Sequence, residues 1–143
     1  MNEIDKISYW ENKIKNGDFK SSISFITSIP DMPLHELRTE FSDDIDHYQV
    51  LFLDINKVAR HLEHGSEERF PQDALSIDCR TPRLLELIES NVKIIPPEII
   101  YINNGRWTIK DGQHRFSIMR YLKLGQAPFL IRKSHIIYSE ELK

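Results

Sequence analysis

Residues 98–132 read EIIYINNGRWTIKDGQHRFSIMRYLKLGQAPFLIR, and the order of elements in this stretch decides the fold class. Glu98–Ile102 (EIIYI) is an apolar, β-branched run, and Arg106–Lys110 (RWTIK) is a second short strand pattern. Asn103–Asn104–Gly105 lies between them and carries Asn-Gly, the strongest short hairpin signal. Gln113–Leu124 then predicts a helix ending at Gly125, and Ala127–Ile131 a last strand. A hairpin followed by a helix and a returning strand predicts a mixed α/β (α+β) domain built on a small mixed sheet with flanking helices.

The flanks extend this reading. Thr81–Pro82 predicts a helix running to about Ser90, with Thr81 as N-cap, Pro82 in the first turn and Leu84, Leu85, Leu87 and Ile88 on its apolar side. Gln49–Leu53 (QVLFL) reads as a buried strand, followed by a short helix Lys57–Glu63 capped by Asp54 or Asn56 and closed by Gly65. Ser66–Ile77 reads as a loop. Residues 1–48 are less regular: a helix over Met1–Lys15 ended by Asn16–Gly17, a strand or buried extended segment at Ser21–Ile29, and an acidic run, Ser42–Asp46, expected as a solvated loop. The division expected is a domain over 49–143 with residues 1–48 as an extension packed on or flanking it. The expected core is Leu51, Leu53, Leu85, Ile88, Ile100, Ile102, Ile109, Met119, Leu122 and Leu130.

Composition narrows the function classes. The 143 residues are 40% hydrophobic and 29% charged, which suits a chain that buries a core. The single cysteine, Cys79, rules out an internal disulfide framework and an all-cysteine zinc site. A net charge of −3 leaves no global field for a polyanion, so nucleic acid would need a local basic patch. No apolar run is long enough to span a bilayer and no basic leader opens the chain, so a cytoplasmic location is expected and no membrane partner.

The chemistry concentrates at Ile109–Arg115, IKDGQHR. A strand that turns through glycine into a helix brings backbone N–H groups and the positive end of the helix dipole to one point. Gly112 permits close approach of a ligand, and His114 and Arg115 add side-chain donors in the first turn. Arg115 shares a helical face with Ile118, Met119 and Leu122, and a guanidinium on an apolar face calls for an anion. The anion is either a ligand phosphate or a protein carboxylate; in the second case Asp111 is an N-cap and Arg115 a structural salt bridge.

The run PPEIIYINNGRWTIKDGQHRFSIMRYLKLGQAPFLIR resembles the core of the ParB/sulfiredoxin-like superfamily: a helix, a hairpin, a D-G-x-H-R turn, a helix ending in Leu-Gly and a strand opening near a proline. With Val50–Ile55 as the family's first strand, the resemblance covers roughly residues 50–132. It implies a nucleotide-phosphate cradle at Gly112, Gln113, His114 and Arg115, with Arg80 able to reach the same pocket, and a nucleoside triphosphate, ATP or CTP, with Mg²⁺. Implied activities are an NTP-dependent phosphotransferase or NTP hydrolase in which His114 and Arg115 stabilise phosphoryl charge and Asp111 acts as a base or metal ligand. The alternatives are a nuclease or DNA-binding module, and a non-enzymatic domain with a vestigial pocket and a protein partner. Sulfiredoxins carry their reactive cysteine where this chain has Gln113, so thiolate chemistry is not expected there. Partitioning members continue into a helix-turn-helix, and the expectation here is a domain without one.

Other residues carry less. Cys79 lies beside Arg80 but is expected as a small buried residue rather than a nucleophile. His61 and His64 are spaced i, i+3, and with His35, His47 and His135 they read as solvated side chains, not a metal site. Trp107, considered with Trp10, Tyr101 and Phe129 as a base-stacking group, is expected to pack across the hairpin instead. Arg120–Lys123 and Arg132–Lys133 form a small basic patch.

Overall fold

Strand β1, Tyr48–Asp54, buries Tyr48 and Leu53 but leaves Gln49 and Phe52 exposed, so Gln49–Leu53 is not the buried strand expected. Its last residue turns the chain, where Asp54 Oδ1 accepts from Lys57 N at 2.9 Å and caps helix α2, Ile55–His61. The structure, a computed structural model, describes residues 2–19, 22–32, 45–63, 69–73 and 80–143. It divides into two compact units, Met1–Phe25 with Ser76–Ile94 and Ile26–Leu75 with Ile95–Lys143.

The first unit is helical. Helix α1, Glu3–Lys15, is capped by the Asn2 side chain, which accepts from Asp5 N. It stops at Asn16 with Gly17 at φ +73, as the Asn-Gly pair predicts. Lys13 of α1 meets Glu89 at 2.7 Å and lies over the rings of Tyr9 and Trp10. Glu89 belongs to helix α3, Thr81–Glu89, whose Leu85 and Ile88 are buried. Thr81 is not the N-cap: Arg80 holds that position, and Thr81 is the first helical residue and fully buried. The segment before Pro30 makes no regular strand; it is extended, with one bridge between Phe25 and Ile94.

The second unit holds the sheet. Strands β2, Glu98–Asn103, and β3, Arg106–Asp111, form the expected hairpin, closed by Asn104 and Gly105 at φ +48 and +76. Helix α4, Gln113–Tyr121, leads to strand β4, Gln126–Arg132. The strand order is β1-β4-β2-β3, with β4 antiparallel to β1 and parallel to β2. Strand β4 is therefore central and covered on both faces, which is why Ala127–Ile131 is an unbroken apolar run. On one face Phe129 meets Phe116 of α4 at 6.1 Å; on the other Leu130 packs with Tyr48 and Met32. The fold class is α+β with a mixed sheet.

Other expectations are corrected. Ile102 is 38% exposed rather than core, because the register slips between Tyr101 and Asn103 and the bulge breaks the alternation. Leu51, Ile100 and Leu122 are half-buried, and the other six expected core residues are buried. Helix α4 stops at Tyr121, not Leu124. Lys123 N donates to Arg120 O at 3.0 Å and Leu124 N to Met119 O at 3.2 Å, which places Lys123, not Gly125, in the left-handed conformation at φ +57. Gly125 instead accepts from Ile55 N at 3.1 Å. A lysine here bears a penalty that glycine lacks, so Lys123→Gly should raise stability by about 1 kcal/mol in urea denaturation. An unchanged or lower midpoint contradicts this account. Helix α2 likewise lies two residues earlier than Lys57–Glu63; Gly65, His35, His64, Cys79 and Ser42–Asp44 lie outside the described residues.

Candidate functional site

The turn at Asp111–Arg115 is built by backbone geometry first. The β2–β3 register slips between Glu98 and Ile99, so Asp111 pairs with Glu98 while Ile109 pairs with Ile99. The bulge bends the end of β3 just ahead of the turn. Gly112 follows at φ +95, ψ +33 and is the N-cap of α4, a position where it has no side chain to offer as a cap. Asp111 is thus the last strand residue and not the N-cap that the structural alternative assigned to it. The first intrahelical bond is Phe116 N to Gly112 O at 2.9 Å, so the amides of Gln113, His114 and Arg115 precede the helix's own acceptors.

The Arg115 side chain folds back over this end. Its Nη1 donates to the carbonyl oxygen of Ile95 at 2.7 Å, and its Nη2 lies 3.3 Å from Asp111 Oδ2. The guanidinium lies so close to Gly112 that a Cβ there would stand 2.9 Å from Nη2. The close approach that glycine permits is therefore made by the protein's own arginine. The Arg115 and Asp111 side chains retain 18% and 21% of their exposure, so the pair borders solvent.

The other expected residues differ in exposure. Gln113 is exposed and lines a shallow surface dip with Leu62, Glu63, Arg69, Phe70, Thr108 and Ile109. His114 is half-buried in the first turn. Arg80 is exposed and belongs to the other compact unit, at the start of α3. The turn therefore joins Asp111, Gly112 and Arg115 directly, flanked by Gln113 and His114.

One charged residue opposite the site escaped the sequence reading. Glu98, opposite Asp111, is 2% exposed, with its Oε1 3.9 Å from Arg132 Nε. Two carboxylates facing across a hairpin would repel, and each has a guanidinium at hand, Arg115 for Asp111 and Arg132 for Glu98. A glutamate opening an otherwise apolar strand was the available signal. Arg120 is 3% exposed and so contributes nothing to a surface patch; of Arg120–Lys123 and Arg132–Lys133, Lys123 and Lys133 are the exposed cations.

Among the described residues no three His, Cys, Asp or Glu side chains converge, and the Asp111 carboxylate faces a guanidinium. No helix among the described residues is long and apolar enough to cross a membrane. No family model, curated protein or solved structure matches the chain.

Proposed function

We propose that the Asp111–Arg115 turn recognises phosphate and that the domain binds a nucleoside triphosphate, ATP or CTP, as the resemblance to ParB/sulfiredoxin-like domains implies, in a cytoplasmic setting. The observation that carries the reading is a helix start entered through a left-handed glycine, which has no side chain of its own to cap it, and overlaid by a solvent-bordering guanidinium. Backbone amides, dipole and guanidinium all favour an anion at that point. A phosphate arriving there competes with Asp111 for Arg115, so Asp111 sets the affinity rather than acting as a base. Among the described residues none forms a cage for Mg²⁺; an ion would come with the nucleotide's own phosphates. Binding, not turnover, is the activity these residues support. Burial of Arg120 and the Arg132–Glu98 pairing leave Lys123 and Lys133 as the exposed cations of the small basic patch that a DNA backbone would need.

One observation favours a second reading. Arg115 also bonds the Ile95 carbonyl, which is what a purely structural clasp in a non-enzymatic, partner-binding domain would do. Calorimetric titration with ATP and CTP, each with Mg²⁺, separates the two. Arg115→Ala should weaken binding by about ten- to a hundredfold, since a charged hydrogen bond is lost. Asp111→Asn should tighten it, because the competing carboxylate is removed. Wild type that binds neither nucleotide, with Arg115→Ala merely lowering the melting temperature, leaves the structural clasp as the answer.

A further inference from the structure

We propose that the 3-10 segment Lys133–Leu142 is an acid-released clasp over the outer half of β2, held closed by the neutral imidazole of His135. Strand β2 pairs with β4 at Glu98, and further along the strand the Tyr101 amide donates to His135 Nδ1 at 3.2 Å. A backbone N–H can only donate, so Nδ1 must keep its lone pair and the ring must be the neutral Nε2–H tautomer. A second proton would set N–H against N–H. The segment lies flat on the strand at this point: Tyr138 stacks on Tyr101 with ring centroids 4.0 Å apart, and His135 stands edge-on to Tyr101 and Trp107.

The surroundings decide the sign. From β4, Arg132 acts on the ring as a like charge, with its guanidinium turned toward Glu98 of β2. Burial, and then Arg132, hold the His135 pKa below the ordinary histidine value. A histidine lowered in the folded state contributes stability above its unfolded value of about 6.5, and that stability is lost as pH falls through and below it. On β3, Arg106 donates to Asn103, and on β1 the Asp54 carboxylate caps α2. The far end of the segment is tied separately. His61 Nε2 of α2 faces Glu141 Oε2 at 3.3 Å, while Lys57 donates to the Lys143 carbonyl oxygen and Lys143 pairs with Glu140. Release is therefore one-ended: Ser134–Tyr138 lifts, and the Glu141 end stays.

Amide hydrogen exchange, corrected for intrinsic rates, tests this on the full chain. Between about pH 7.5 and about pH 5 the Tyr101 protection factor should fall about tenfold, while Ile118 in α4 is unchanged. His135→Asn keeps an acceptor near the Nδ1 position without titrating, and should hold Tyr101 protected at both pH values. A flat wild-type response, or an equal fall in His135→Asn, overturns the proposal. Should that variant not fold, the ring nitrogen shifts of His135 in the wild type still decide. An Nε2–H tautomer that charges over this range supports the clasp, and an Nδ1–H tautomer at neutral pH ends it.

Discussion

Gly112→Ala should destabilise the protein by about 2–4 kcal/mol, the sum of two separate costs. The first is backbone: at φ +95 an L side chain is strained whatever space surrounds it. The second is Arg115. The new Cβ would lie 2.9–3.0 Å from its Nη2, Cζ and Nε, so the guanidinium must leave Asp111 and the Ile95 carbonyl. A flexible side chain usually yields cheaply, but this one is held at both ends. A double-mutant cycle in urea isolates that term. In an Arg115→Ala background the alanine at 112 should cost only its backbone share, leaving a coupling of about 1–2 kcal/mol between the two positions. Additive effects would mean that the guanidinium is not fixed over the glycine, and the clasp and the phosphate site would both lose their geometry.

Trp107→Ala should cost about 3–5 kcal/mol, enough to leave a domain of this size barely folded. Trp107 is 1% exposed and sits directly opposite Tyr101 in the hairpin, with the two rings edge-to-face at 5.4 Å. Its backbone also ties in the chain after α2, with Glu63 N donating to Trp107 O at 2.8 Å. Trp107→Phe keeps most of the packing and should lose far less. A base-stacking role predicts the reverse pattern, with Trp107→Ala folding normally and failing only in ligand binding. Thermal denaturation of the two variants discriminates.

The hairpin and the turn after it were legible because each rests on local backbone chemistry. Asn104–Gly105 takes positive φ at both positions, and Gly112 permits the left-handed entry to α4. The apolar stretch of β4 was legible because burial selects residue type over a whole strand; β1 was read as equally buried, yet Phe52 is exposed and only Tyr48 and Leu53 are buried. Helix α4's early end was not: Gly125 looked like the stop, and the chain stopped three residues before the expected Leu124, with a lysine in the strained position. Local propensity favoured glycine there, but the hydrogen bond from Ile55 to Gly125 ties that residue into the return to β4 instead.

By itself, then, the sequence determined the α+β class, the element order from β1 to β4, and the convergence of Asp111, Gly112 and Arg115, because these depend on periodicity and on residues within a few positions of one another. Tertiary structure alone decided what those residues face. Arg115 reaches a carbonyl 20 residues upstream at Ile95, His135 accepts from an amide 34 residues away, and Glu98 meets Arg132 across two strands. A charged or polar side chain is chosen by its partner, and partners distant in sequence leave no period to read. Only closing the sheet brings them within hydrogen-bonding reach, where the low dielectric of a half-buried site makes each pairing obligatory.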